Sequence, residues 1–253
     1  LGLGLGSGEL ILWPYLTSNF GMGIIWGAVL GITMQFFMNM EIERYSLVRG
    51  ESIFVGFARK FRLAPYWFIF STFVAWFWPG IIGASSKLLG NVLGLANTNI
   101  LAIGLLLLIG IILTLGSILY KTVEKFSMIL IGLGVPAIAV LTFFLASKAD
   151  FAALAKGIVG IGEGYFFLPE GLPIAAFLAA FAFSGAGGNL NLAQSFYIKE
   201  KGYGMGKYSG RITSILTEKV ENIKLEGAKF AMTVENLKRF KHWWKLINLE
   251  HLI

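Results

Sequence analysis

Cysteine is absent from the 253 residues, which removes disulfide frameworks, thiolate metal sites and thiol nucleophiles together. Charge is scarce too: 14% of the residues are Asp, Glu, Lys or Arg, against about 25% in an ordinary soluble domain. With 56% hydrophobic residues and a mean hydropathy of +0.73, a water-soluble fold has too little polar surface to cover the rest. The two histidines, His242 and His251, stand at no metal-ligand spacing and read as surface residues. No nucleophile accompanies a base and an orienter, and Glu9 is the only acid inside an apolar segment, so neither catalysis nor a cofactor is expected. The pairs Gly2-x-Gly4 and Gly202-x-Gly204-x-Gly206 lack the strand and helix that a dinucleotide loop needs around it. The chain opens on Leu1-Gly2-Leu3-Gly4-Leu5-Gly6, without methionine or a basic leader, and stops on the apolar run Asn248 to Ile253. No cleavable signal is read, and both ends read as truncations.

What the sequence has instead is long apolar runs. Segments of spanning length fall at Gly21 to Met40, Tyr66 to Leu89, Ile100 to Tyr120, Phe126 to Ala146 and Leu172 to Ile198, and a shorter one at Glu9 to Phe20. Pro79 and Pro136 lie inside two of them, where kinks are expected rather than breaks. Segments this apolar should be covered on every side. The fold class expected is therefore all-α and polytopic, with residues 1–198 forming a six-segment transmembrane domain and residues 199–253 a cytoplasmic loop that leads towards a missing seventh span. Ser52 to Phe61 reads as a short amphipathic helix on the cytoplasmic face, and Lys148 to Gly171 as an external connection. Thr233 to Ile247 reads as a basic amphipathic interfacial helix.

Lysine and arginine mark the cytoplasmic side. Eighteen of them, Arg44, Arg49, Arg59, Lys60, Arg62, Lys121, Lys125 and eleven from Lys199 to Lys245, fall on one side of a six-crossing alternation. Three, Lys87, Lys148 and Lys156, fall on the other. This places the N-terminus and the tail inside, in a multi-pass protein of the inner or plasma membrane. The net charge of +7 then belongs to loops facing anionic lipid, and no nucleic-acid partner is expected.

Two places interrupt the apolar pattern in the same way: Gly2 to Glu9 (GLGLGSGE) and Ser184 to Gln194 (SGAGGNLNLAQ). Glycine costs a helix about 1 kcal/mol against alanine, so these clusters either unwind and expose carbonyls and helix ends to an ion or allow close helix packing. They sit in segments one and six with four between, the arrangement in which broken helices of two repeats meet at a midplane site. Glu9 at membrane depth costs about 2.5 to 3.5 kcal/mol and should have a partner or a function, unless it lies near the membrane surface. Asn189, Asn191 and Gln194 offer oxygen and amide groups that either coordinate a cation or bond between helices. Gln35 and Asn39 read as interhelical hydrogen-bond groups, Lys87 as a lysine reaching the outer interface, and Glu41, Glu43 and Arg44 as a solvated or paired cluster.

The order of these features resembles the Nramp (natural-resistance-associated macrophage protein) family of divalent-metal transporters over nearly the whole chain. That family's first-span Asp-Pro-Gly-Asn falls on Gly6-Ser7-Gly8-Glu9, because Leu10 to Met22 leads without a gap to Gly23-Ile24-Ile25-Trp26, similar to the start of its second span. Its Met-Pro-His-Asn falls on Ala186-Gly187-Gly188-Asn189, and Tyr120 to Lys125 resembles its basic link between spans four and five. The resemblance implies a LeuT-like inverted-repeat fold, here the first repeat plus the first helix of the second, with the rest of the second repeat missing. It also implies a cation site between segments one and six. Of the family's ligands only Asn189 is kept; Gly6, Glu9 and Ala186 replace the others. The family's proton-moving carboxylates fall on Phe77 and Gly80, and its span-six histidine on Gly188. Loss of the thioether shifts the expected cation towards Mg²⁺, Mn²⁺ or Ca²⁺. The expected site joins the Glu9 carboxylate and the Asn189 amide to carbonyls of Gly6 and Phe183, with Gly8, Ala186, Asn191 and Gln194 around them. A Na⁺-coupled carrier of small organic solutes and a non-transporting scaffold remain open beside it. The partners expected are the lipid bilayer, a metal cation or small-molecule substrate, and the missing repeat.

Overall fold

A computed structural model describes Gly6 and residues 8–115, 119–210, 225–228 and 230–252. Gly2, Gly4 and Ser7 of the first glycine cluster, and Arg211, Lys219, Lys224 and Lys229 of the basic tail, lie outside the described residues. A π-helical turn, Gly8–Leu12, runs into α1 (Trp13–Phe20), and a 3₁₀ turn, Met22–Ile24, precedes α2 (Trp26–Arg49). There follow α3 (Ile53–Lys60), α4 (Ala64–Phe77), α5 (Gly80–Leu93), α6 (Thr98–Leu115), α7 (Leu119–Leu145), α8 (Lys148–Ile158), α9 (Ile174–Ala182) and α10 (Asn189–Lys201). A 3₁₀ turn, Gly204–Tyr208, and α11 (Val234–Leu252) complete the order. Among the described residues there is no strand, only an isolated bridge between Ile161 and Phe166, so the chain is all-α.

Three helical stretches, Met22–Arg49, Ala64–Leu93 and Lys121–Leu145, are long and apolar enough to cross a membrane; Thr98–Thr114 is apolar but shorter. Among the described residues, two of the three long stretches are left uncovered. In the most apolar stretches of Ala64–Leu93 and Lys121–Leu145 no residue is buried, and Trp78 and Phe144 are 78% and 82% exposed. Apolar helix faces of this extent suit hydrocarbon rather than water.

The two prolines behave differently. Pro136 sits inside the unbroken α7. Pro79 separates α4 from α5, so the expected kink in the segment Tyr66 to Leu89 is a break. The physical reason lies one residue earlier: the proline ring disfavours helical backbone at the preceding position, and Trp78 is extended at φ −84°, ψ 122°. The Lys148 to Gly171 connection also has more order than expected. Helix α8 starts there on a reciprocal capping box, in which Asp150 N–H donates to Ser147 Oγ (3.4 Å) and Ser147 N–H donates to Asp150 Oδ2 (2.8 Å). The expected basic link Tyr120 to Lys125 is helical, inside the first turns of α7.

The chain divides into two compact units. One comprises Leu1–Arg44, Ser127–Gln194 and Lys241–Ile253. Its core is Trp13, Leu16, Ile24, Leu172, Phe177 and Ala180, with Trp13 edge-on to Phe177 at 5.9 Å. Tyr165 ties the non-helical segment after α8 to the end of α1 by donating its hydroxyl to Phe20 O (2.7 Å). His251, expected at the surface, is tucked into this unit: its ring lies 5.3 Å from that of Phe36, and Nδ1 is 3.6 Å from Oε1 of Glu43, which is itself 2% exposed. Burial pushes the His251 imidazole below its ordinary pKa. Of the expected acidic cluster only Glu41 and Arg44 form the exposed ion pair.

The second unit comprises Tyr45–Phe126 and Ser195–Phe240. Phe54 of α3 meets Phe68 of α4 at 4.9 Å and Phe196 of α10 at 5.8 Å. Lys199, expected at the start of the cytoplasmic loop, and its neighbour Glu200 are buried here. Burial lowers the Lys199 pKa, against the opposing pull of Glu200. Lys201 pairs with Glu124 at 3.2 Å.

Candidate functional site

The sixth apolar segment is not one helix. Helix α9 stops at Ala182 and α10 starts at Asn189, leaving Phe183 to Gly188 as irregular backbone. Gly185 at φ +94° and Gly188 at φ +60° occupy conformations that residues with a Cβ rarely adopt, which is why the helix ends here rather than continuing. Asn191 and Gln194, expected in the unwound stretch, are instead on α10, because the positive-φ glycines end before them.

Three elements of the first unit converge on this break. From the π turn before α1 comes Glu9. Its Oε2 accepts the Gly6 N–H (3.0 Å), and its Oε1 accepts the N–H of Gly185 in the break. Gly8 beside it is buried, and a Cβ there would lie 2.5 Å from Phe183 O; the missing side chain is what lets the turn approach the break's backbone. From α1 itself, Trp13 donates its indole N–H to Ser184 Oγ (2.9 Å), and Ser184, fully buried, donates to Ala180 O (2.9 Å).

From α2 comes Gln35. Its Nε2 donates to Ala182 O (2.9 Å), and its Oε1 accepts the Ala186 N–H (2.7 Å). One amide thus satisfies a carbonyl at the end of α9 and an N–H within the break, as buried backbone requires. One turn earlier Gly31 allows the approach, since a Cβ there would lie 2.7 Å from Phe181 O. The interhelical role expected for Gln35 is therefore what the structure shows.

Of the residues expected at the site, Gly6, Gly8, Glu9, Phe183 and Ala186 come together. The Gly6 carbonyl, expected as a ligand, accepts the Leu10 N–H (3.2 Å), so the group Gly6 turns towards Glu9 is its N–H. Ala186 is buried, and Phe183 is 46% exposed. Asn189 is the first residue of α10, half-buried and engaged in a polar contact. Asn191 is 5% exposed, and its Oδ1 is buried without a hydrogen-bond partner among the described residues; Gln194 is half-buried one turn on. Asn39 Oδ1, on α2, is buried and unpartnered in the same sense. Among the described residues no three His, Asp or Glu side chains group closely enough to hold a metal ion.

Trp13 was not singled out from sequence, and Ser184 was named only as the first residue of the second glycine cluster. An indole seven residues from the end of a short apolar segment looks like any lipid-facing tryptophan, and its 171-residue reach to Ser184 has no local signal. Serine next to a glycine cluster was the only available hint. The chain matches no protein-family model, and no curated protein and no solved structure is significantly similar to it.

Proposed function

We propose that this chain forms the substrate-binding part of a secondary membrane transporter that moves a hard divalent cation by alternating access. The observation that carries the proposal is the contact of Glu9 with the Gly185 N–H: the carboxylate of one irregular helix start reaches the irregular middle of another apolar segment. Irregular backbone at membrane depth is tolerated where it lines a cavity or is buried in protein, and paired breaks of this kind mark substrate sites in inverted-repeat carriers. The likeness to Nramp transporters and to the LeuT-like repeat supports the same reading, with the N-terminus and tail on the cytoplasmic side by the distribution of Lys and Arg.

Each Glu9 oxygen holds one N–H and keeps further acceptor capacity. A cation approaching Glu9 would trade those N–H bonds for the carboxylate charge and draw on neutral oxygens such as Phe183 O, Asn189 and the unpartnered Asn191 Oδ1. Such an oxygen-only set favours Mg²⁺, Mn²⁺ or Ca²⁺ over softer metals.

A second reading draws on the same contact. A backbone N–H that holds a glutamate carboxylate can hold the carboxylate of a substrate, as in Na⁺-coupled carriers of organic solutes. Uptake of Mg²⁺, Mn²⁺ and Ca²⁺ into proteoliposomes holding the full-length protein, with and without a pH gradient, separates the two. Cation uptake lost in Glu9→Gln, with unfolding temperature retained, supports the cation carrier. Uptake of amino acids but of no divalent cation moves the assignment to the organic-solute carrier. No uptake of either, with thermal stability indifferent to every small ligand, leaves a membrane scaffold.

A further inference from the structure

The second unit holds a concentration of charge that the transport site does not use. Tyr45 and Arg49 on the last turns of α2, and Ile53, Phe57, Arg59 and Lys60 on α3, line an open pocket of about 310 Å³. Three cations therefore face one cavity. The carboxylate that answers them is Glu51, 1% exposed and already committed. It accepts from the Tyr45 hydroxyl (2.5 Å), from Arg59 and from the Gly227 N–H (2.9 Å), and lies 3.7 Å from Arg49 Nε. Among the described residues one negative charge faces three positive ones at the pocket, and Glu51 fixes the two guanidinium groups without using up their five N–H donors each. Lys60 is exposed and pairs with no acid among the described residues.

We infer that this pocket binds a phosphate group, with Arg49, Arg59 and Lys60 as its donors. Guanidinium groups held by a buried carboxylate are pre-aligned for forked hydrogen bonds to phosphate oxygens, and the nearby ammonium adds a point charge. The volume is at the lower end of small-ligand pockets. Ile53 and Phe57 give the cavity an apolar wall next to the charged one, which suits a phosphate carried on a glycerol and acyl chain. Arg49 is the last residue of Met22–Arg49, one of the stretches able to cross a membrane. A basic pocket at the end of such a helix lies at headgroup depth, where each Lys or Arg contributes about 1 kcal/mol to binding of anionic lipid.

The test uses the full chain in phosphatidylcholine nanodiscs with and without phosphatidic acid, and separately inorganic phosphate against chloride at equal ionic strength. Retained lipid is read by native mass spectrometry and affinity by thermal shift. Lys60→Gln is the informative variant, because it leaves the Glu51 contacts untouched. Lys241→Gln, an exposed cation in the other unit, controls for net charge. The expected result is binding weakened about fivefold by Lys60→Gln and unchanged by Lys241→Gln. Weakening for phosphatidic acid alone assigns the phosphate to a lipid headgroup; weakening for both probes, or for inorganic phosphate alone, assigns it to a phosphate in free form as well or instead. Equal loss in the two variants, no loss in Lys60→Gln, or no binding of either probe overturns the inference.

Discussion

Replacing Gln35 by leucine keeps the volume of the side chain and deletes two hydrogen bonds that span the break between α9 and α10. Gln35 is 6% exposed, and its amide is the hydrogen-bond partner of both Ala182 O and the Ala186 N–H. In Gln35→Leu both backbone groups are orphaned. Cycles in membrane proteins give about 0.6 kcal/mol per interhelical hydrogen bond, whereas leaving a buried polar group unsatisfied costs about 1 to 3 kcal/mol. Two groups therefore bracket the loss between about 1 and 6 kcal/mol. Neighbouring Phe183 is 46% exposed, so the break is not fully enclosed by protein. That favours the lower half of the range, about 2 to 3 kcal/mol. The assay is denaturant unfolding of the purified chain in detergent, with hydrogen exchange read at the Ala186 amide. Asn39→Leu is the matched control on the same helix. Asn39 is also buried, at 5%, but its Oδ1 has no partner among the described residues, so its removal should be neutral or stabilising. If Gln35→Leu lies within about 0.5 kcal/mol of the parent and Ala186 exchanges at the parental rate, Gln35 does not hold the break and the reasoning is wrong.

Ser147→Ala should destabilise the start of α8 by about 1 kcal/mol, the usual loss of an N-cap, seen as faster amide exchange over Lys148–Ile158. The same cap carries a pH signature. Hydrogen bonds from the Ser147 N–H and then its hydroxyl hold the Asp150 carboxyl below its ordinary pKa. Its stabilisation is thus complete above the unfolded value of about 4 and is lost as pH falls towards the folded one. Protection of α8 should fall with acid below about pH 4 in the parent and much less in Ser147→Ala; equal slopes would contradict the assignment. Glu51→Gln should cost about 2 to 3 kcal/mol, less than the roughly 3 to 5 kcal/mol of a fully buried broken pair, because water reaches Arg59. Arg59 is 42% exposed. An unfolding midpoint unchanged in Glu51→Gln would show that the carboxylate does not organise the two arginines.

The apolar character of the chain and its all-helical class were legible from composition and the length of the apolar runs, because stretches such as Lys121–Leu145 can satisfy their backbone only within a helix when water is excluded. The short amphipathic helix at Ser52 to Phe61 appears as Ile53–Lys60, and the basic helix expected at Thr233 to Ile247 as Val234–Leu252, both from local periodicity. The break in the sixth segment was also written locally, in glycines that can take positive φ. Local signals failed where two comparable outcomes compete. Pro79 could have kinked or broken its helix, and the conformation of Trp78 decided for the break.

The pairings needed the tertiary structure. Glu9 stood out because a carboxylate in an apolar run is costly, yet its partner, the N–H of Gly185, is 176 residues away and carries no side-chain signature. Glu51 is one acid among basic neighbours in sequence, and only the folded chain brings Tyr45, Arg59 and Gly227 to it. Sequence thus determined which segments avoid water and where their helices are weak, since both follow from each residue's own transfer cost and backbone freedom. Which polar groups satisfy one another was decided by packing, because a buried hydrogen bond depends on the position of both partners and a sequence states only their identity.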